Sequence, residues 1–542
     1  MPDEGRRGDL EWGTIPRVVR SAAERFGDAS AIEDVDADVT LTFTEVAAAA
    51  RRAAKGFLAI GIEAGDRVAV WAPNIWEWVV AAVGLQSVGG VLVPLNTRYR
   101  GVEAAYILEK SRARALVTVE GFLDTDYVGL LRRAVDVPTA LPELGTIVCL
   151  RGDAPDGTVG WDTFLTAGDA IGDAVATERA DAVAPDDRSD ILFTSGTTGA
   201  PKGVITHHAQ NIRAYRDWAD VIGLETGDRY LIVNPFFHSF GYKSGWLVSL
   251  MMGVTILPQA VFDGQVVMDR IAPDRISVLT GAPALFQTIL HHPRRAGYDL
   301  STLRLAVTGA ASIPVELIVG MRDTLGFQNV ITGYGLTEAS GIVTMCRHDD
   351  DPETVARTSG RAIPGVEVRC VDDDGTEVPR GEPGEVVVRG YNIMEAYFDD
   401  AEETAATIDA DGWLHTGDVG VMDDRGYVAI TDRTKDMFIV GGFNAYPAEI
   451  ENLLLGNDAI AQVAVIGVPD DRLGEVGMAW VMLRPDATLT ADELIGWSRE
   501  TMANFKVPRY VEFVTEFPMN ATGKVLKFEL RARAAALLAG AG

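Results

Sequence analysis

The chain has 542 residues, 47% apolar and 23% charged, which excludes a disordered chain and allows several subdomains with sizeable cores. Its net charge of −30 excludes nucleic acid and anionic lipid as expected partners, so any phosphate site must be built from local lysines, arginines and backbone amides. Three widely spaced cysteines, Cys149, Cys346 and Cys370, argue against disulfides and a cysteine metal site and fit a reducing cytoplasm.

The first residues, MPDEGRRGDLEWG, lack the apolar stretch of a secretory signal. In chain order, RVAVWAP (67–73), GVLVPLN (90–96), ALVTV (115–119) and TIVCL (146–150) are predicted strands. WEWVVAAVGLQSVG and GVEAAYILEKSR between them are predicted helices. The apolar stretch VVAAVGLQSVGGVLVPL is broken by Gln, Ser and Gly-Gly, and reads as a buried helix and strand rather than a membrane span. Next, the strand ILF runs into TSGTTGAPKG (194–203), after which Ile212, Tyr215, Ala219 and Ile222 line one face of a helix that Gly223 can end. SVLTG and LRLAVTG are further strands, each leading into a helical stretch. This alternation predicts parallel sheets covered by helices, with ligands at the carboxyl ends of strands.

From about 360 to 432 the texture changes: VEVRCVDDDGTEV and GEVVVRG, with the turn formers DDDG and EPGE, predict a small antiparallel β unit. EIENLLLG, VAVIGV, MAWVML, ELIGWSRE, YVEFV and a final helix then predict a separate small domain. The expected fold class is α/β. A large N-terminal domain of helix-covered sheets plus the β unit (1–434) is joined by a short hinge near DRTKD to a mobile α+β C-terminal domain (435–542).

TSGTTGAPKG holds three glycines, four hydroxyls and a lysine, a composition suited to phosphate oxygens. It is not a P-loop, because Lys202 lies between Pro201 and Gly203 rather than at a helix start. Taken alone, such a stretch is more often simply a loop. FFHSFG (236–241), GYGLTE (333–338), TGD (416–418), DRTKDMFIVGG (432–442) and NATGK (520–524) follow in order. Together these motifs resemble those of the adenylate-forming superfamily: acyl-CoA synthetases, firefly luciferases and peptide-synthetase adenylation domains. The resemblance covers nearly the whole chain.

The resemblance implies ATP, Mg²⁺ and CoA as ligands and an acid–thiol ligase as the activity. By it, Thr194, Ser195, Gly196, Thr197, Thr198, Gly199 and Lys202 hold the β- and γ-phosphates. Tyr334 stacks on adenine against Gly309, Ala310 and Ala311, with Gly335 following it, and Thr337 approaches the α-phosphate. Glu338 holds Mg²⁺ with Thr198 nearby, while Asp418 accepts from the ribose hydroxyls beside Arg433. Many relatives carry Asn, Gln or Asp where this chain has Thr332, so a backbone carbonyl is expected to take the adenine amino group. Lys524 is the implied catalytic lysine, Lys435 the hinge, and Gly441 and Gly442 the lining of the CoA tunnel.

Phe237, His238, Tyr242, Ala282 and Gly333 are expected around the acyl group, with His238 either gating the carboxylate or serving as a satisfied, half-buried histidine. Lys243 is expected either to meet a polar group of the substrate or to lie on the surface. The doublets His207-His208 and His291-His292 are expected on the surface. The aromatic pocket suits a fatty, aromatic or alicyclic acid. FFHSFGYKSG with YGLTEASG and TMCRHDD is most similar to actinobacterial ligases that activate the ring-propionate left by steroid degradation. An adenylation enzyme loading a carrier protein is the alternative. No integral membrane association is expected, and a homodimer stays open.

Overall fold

The computed structural model describes residues 13–194, 201–309, 313–433, 436, 438–440, 443–445, 447–470, 473–502, 504–519 and 525–540. The described residues form four sheets, of seven, nine, four and five strands. In the seven-stranded sheet, Ala115–Thr118, Arg67–Trp71 and Val91–Pro94 run parallel and are followed at one edge by the antiparallel hairpin Arg188–Thr194 with Lys202–His207. The nine-stranded sheet has a parallel centre that includes Arg229–Ile232, Val278–Thr280, Leu305–Gly309 and Asn329–Tyr334, with antiparallel pairs at its two edges. The alternating strands and helices therefore make the parallel sheets that their pattern predicts.

The helix Trp76–Ser87 explains the long apolar stretch. Its residues 77–86 are all buried, because it meets both large sheets. Trp78 packs on Phe236 and Trp246, while Gln86 Nε2 donates to Ser189 O at 3.1 Å on the other side. A helix covered all round has no reason to be amphipathic. Each fully enclosed large apolar side chain there contributes about 1.5–3 kcal/mol. No helix among the described residues is long and apolar enough to cross a membrane.

The 360–432 region forms the antiparallel sheet Val366–Val371, Pro383–Gly390, Leu414–Met422 and Val428–Arg433. A further sheet with its own core follows, built on Ile460–Asp470 paired to Gly474–Leu483, with Tyr510–Phe513 parallel beside the latter. One cluster of buried apolar side chains runs from Ile15 to Val428 and another from Phe438 to Ala534.

Candidate active site

The phosphate-loop motif is the tip of a β-hairpin. Thr194 pairs with Lys202 and Phe193 with Gly203, and the Thr194 hydroxyl donates to Lys202 O at 3.4 Å. Ser195, Gly196, Thr197, Thr198 and Gly199 lie outside the described residues. Lys202 therefore starts a strand, in accord with its not being a P-loop lysine. Its ammonium pairs with Glu403 and sits 5.1 Å from the centroid of the Tyr397 ring. The segment holding Tyr397 is laid along the hairpin by backbone bonds: Ile205 N to Ala396 O at 3.1 Å and Phe398 N to Gly203 O at 2.7 Å.

Thr194, Gly309 and Tyr334 each close a strand at its carboxyl end. Gly309 is the register partner of Gly333, and a Cβ on it would stand 2.9 Å from Gly333 O. On Gly335 a Cβ would come within 2.2 Å of Gly341 O, so only glycine fits this close approach of two chains. The half-buried Tyr334 donates its hydroxyl to Asp418 Oδ2 at 2.5 Å. Thr332 is buried, with its hydroxyl donating to Val355 O at 2.8 Å and its carbonyl accepting from Cys346 N at 2.8 Å. Ala310 and Ala311 lie outside the described residues.

Asp418 is a strand residue rather than a turn former. It is 4% exposed on Leu414–Met422, next to Gly417 with φ +66° and to a register shift at Val419/Gly420. Its backbone partner across the sheet is Arg433. Glu338 sits on the short turn of helix Thr337–Ala339, with Thr337 half-buried beside it. Its Oε1 accepts from the Tyr397 hydroxyl at 2.9 Å, and its carbonyl accepts from Met394 N at 2.8 Å. Burial, and then the Glu338 carboxylate, push the Tyr397 phenol far above its ordinary pKa, so it stays a donor. No cluster of three or more His, Cys, Asp or Glu among the described residues could hold a metal ion. One hard carboxylate oriented by a phenol fits a Mg²⁺ ion that draws its other ligands from phosphate and water.

In the FFHSFG stretch Phe237 and His238 are half-buried, as are Ala282 and Gly333. His238 caps the next turn, its Nδ1 accepting from Phe240 N at 3.2 Å, so the neutral ring carries its proton on Nε2. Burial lowers its pKa to about 4. Tyr242 opens a π-helical turn, Tyr242–Leu247, and is fully enclosed. Its ring stacks on Trp246 at 4.7 Å, and its hydroxyl accepts from Gln86 Nε2 at 2.8 Å.

Two expectations are corrected. Lys243 meets neither substrate nor solvent: it is fully buried, 3.1 Å from Asp190 Oδ1, and donates to the Thr206 hydroxyl at 2.9 Å. The π turn rotates it inward over the base of the hairpin strand. His207 and His208 are also buried. His208 Nδ1 accepts from Ile15 N at 3.3 Å, and His207 Nε2 lies 3.1 Å from Glu395. The helix they open packs its first turn against the sheet. His291 is exposed, as expected. Lys524, Lys435, Gly441 and Gly442 lie outside the described residues, and so does the Arg433 side chain.

Sequence reasoning missed Tyr397, Glu403 and Asp190. An acidic residue opening the apolar run DILF was a readable signal for Asp190; nothing local in AYFDDAEET pointed to Lys202 or Glu338. The contacts nevertheless form one run: Asp418 to Tyr334, along the 334–338 turn to Glu338, through Tyr397 to Lys202 and Glu403. A buried carboxylate, an aromatic ring, a second carboxylate and an ammonium are thus brought into one run of contacts.

The AMP-binding enzyme family matches residues 19–398, and the AMP-binding enzyme C-terminal domain matches 449–524. The chain is 51% identical over 522 residues to a 3-[(3aS,4S,7aS)-7a-methyl-1,5-dioxo-octahydro-1H-inden-4-yl]propanoyl:CoA ligase of Rhodococcus jostii, covering 96% of this chain and 98% of that protein. It is 48% identical over 518 residues to the protein of the same name from Mycobacterium tuberculosis, covering 96% and 98%. Among solved structures, the anthranilate CoA ligase AuaEII in complex with anthranoyl-AMP aligns with a TM-score of 0.87 at 28% identity, covering 98% of each chain. ATP-bound MatB from Rhodopseudomonas palustris aligns at 0.84 and 30% identity, covering 96% of this chain and 99% of that one. With that agreement of sequence and fold, the chain belongs to the AMP-binding enzyme family.

Proposed function

We propose that this protein is an AMP-forming acid–CoA ligase whose acid is a propionic acid carried on a fused alicyclic ring system, the chemistry in the names of its two relatives above. The observation that carries the reading is that one run of contacts brings Asp418, Tyr334, Glu338, Tyr397 and Lys202 together, offering an acceptor for ribose, a face for adenine, a carboxylate for the metal and a cation for phosphate. Residues 1–434 form the adenylating domain and 435–542 the mobile one.

In the first half-reaction a carboxylate oxygen bonds to the α-phosphorus of ATP and pyrophosphate leaves. All partners are anionic, so the chain's task is positioning and charge neutralisation. Lys202 takes the leaving phosphates, and Lys524 bridges the carboxylate and the α-phosphate. Glu338 holds Mg²⁺, which supplies further neutralisation when bound. The substrate acid is already ionised, so no base is needed. His238, neutral with its proton on Nε2, donates to the carboxylate rather than taking a proton from it. In the second half-reaction the CoA thiol bonds to the acyl carbon and AMP leaves. Rotation about Lys435 withdraws Lys524 and brings Gly441 and Gly442 to the pantetheine path.

The test is incubation with MgATP and an acid panel, with and without CoA, read by mass spectrometry. The panel runs from acetate through long-chain and aromatic acids to bicyclic propionic acids. A CoA-dependent thioester, fastest with the bicyclic acid, is expected. An acyl-adenylate that CoA leaves untouched would move the acceptor to a carrier protein, and a preference for straight-chain acids would overturn the substrate class.

A further inference from the structure

We infer that Glu385 and His415 are positioning residues for nucleotide recognition: together they pin the backbone turn 416–418, and the enzyme's affinity for ATP depends on that pin. The inference rests on the nucleotide reading above, in which Asp418 meets the ribose, and adds two residues that act on the site through the backbone.

The turn is a bulge. Between Pro383–Gly390 and Leu414–Met422, Val387 pairs with His415 and Glu385 with Val419, so Thr416, Gly417 and Asp418 stand opposite Val386 alone. A bulge re-aims a side chain but disrupts the ladder locally, so other groups must fix its shape. Gly417 takes φ +66°, which glycine adopts freely. The Thr416 hydroxyl donates to Val386 O at 2.6 Å and accepts from Asp418 N at 3.1 Å. Glu385 adds two more contacts: its Oε1 accepts from Gly417 N at 3.0 Å, and its Oε2 lies 2.8 Å from His415 Nδ1. One carboxylate therefore ties the foot of the bulge to its crown. Asp418 has further contacts, that with Tyr334 among them, and the tie acts on the backbone of the turn in addition to these.

His415 is held between two acids. Its Nε2 lies 3.6 Å from Asp409 Oδ2, while Asp409 Oδ1 is anchored by Asp411 N at 2.9 Å and Trp413 N at 2.8 Å. Both ring nitrogens thus face carboxylates, a setting that favours the imidazolium. Glu385 and Asp409 are the charged groups that face the ring among the described residues. Burial lowers the His415 pKa, but the two carboxylates outweigh it and hold it above its ordinary 6.5. The charged ring secures Glu385 below that pKa, and the hold weakens as pH rises through it.

The two side chains are 36% and 30% exposed, so the expected effect is a modest factor. A turn in place in only part of the molecules raises the apparent Kd by the inverse of that fraction. The test is calorimetric binding of MgATP to the full chain, without acid or CoA, for the parent, Glu385→Gln, His415→Asn and Glu367→Gln. Glutamine keeps one accepting oxygen, so it can serve Gly417 or His415 but not both, and asparagine offers a neutral donor in place of Nδ1. Glu367, paired with Arg389 in the same sheet, is the control. At pH about 6 we expect the Kd to rise about threefold to fivefold in Glu385→Gln and to stay within about 1.5-fold in Glu367→Gln. The ratio of the His415→Asn Kd to the parent Kd, in which ATP's own ionisation cancels, should fall from about three at pH about 6 toward about one at pH about 9. An unchanged Kd in Glu385→Gln, an equal loss in Glu367→Gln or a ratio that does not move with pH would overturn the inference and leave the ligase reading intact. No ATP binding by the unaltered chain would overturn both.

Discussion

Glu403→Gln should make the enzyme bind ATP more tightly. In the free protein Glu403 neutralises Lys202, so the β- and γ-phosphates that we propose Lys202 takes would have to displace a carboxylate to reach that ammonium. The side chains are 33% and 41% exposed, which places the pair among solvent-screened bridges worth about 0.5–1 kcal/mol. Removing the competitor therefore lowers the Kd for MgATP by a factor of about 2–5. Glu402 is the control: it is exposed on the same helix, Ala401–Thr407, and forms no ion pair among the described residues. Titration calorimetry of Glu403→Gln and Glu402→Gln at low salt, and again at about 1 M salt where screening acts within about 3 Å, separates local competition from general repulsion. We expect a gain specific to position 403 that shrinks in salt. Weaker ATP binding by Glu403→Gln would refute the reasoning and make Glu403 an aid to Lys202, while equal gains at both positions would reduce it to net charge.

Other outcomes test other parts of the molecule. Lys243→Met should cost about 3–5 kcal/mol in chemical denaturation, because it removes the cation beside the fully buried Asp190 and leaves that carboxylate with hydroxyl and amide donors only; a variant as stable as the parent would show that the pair is dispensable. Burial holds His208 near pKa 4, against about 6.5 in the unfolded chain, so the unfolded state takes up the proton first. Stability is full above pH about 6.5 and falls as pH drops toward 4, by about 3 kcal/mol for this residue; urea midpoints that stay flat between pH about 6.5 and 5 would contradict this. Carboxylates such as Glu395, held at about 2 by the neighbouring His207 and Arg188, add their loss only at lower pH. Lys524→Ala should slow acyl-adenylate formation by about two to three powers of ten while sparing CoA transfer from supplied acyl-adenylate, and near-normal adenylation would remove this lysine from the mechanism.

The strands and helices were legible because their pattern is local. ALVTV, LRLAVTG and the helix closed by Gly223 carry their period and their stops within a dozen residues. The same holds for Tyr334, Glu338 and Asp418, which sit in short motifs. Less legible were residues whose role is a partner far along the chain. Glu403 meets Lys202 across 201 positions and Tyr397 meets Glu338 across 59, and neither spacing leaves a mark in a window of sequence. Lys243 misled for a related reason. A lysine is ordinarily a surface residue, and only a π turn and a buried aspartate make an interior place for it.

By itself, then, the sequence determined the classes of element, the order of the motifs and, through residue types placed at strand ends, the chemistry of a nucleotide site. Tertiary structure alone decided which of those charged and hydroxyl groups touch: that Tyr334 meets Asp418, that Tyr397 meets Glu338, that Glu403 pairs with Lys202 and that Asp190 pairs with Lys243. The division has a physical cause. Hydrophobic periodicity and turn chemistry act between near neighbours and are written in consecutive residues. A hydrogen bond or an ion pair acts over about 3 Å of space and takes no account of separation along the chain.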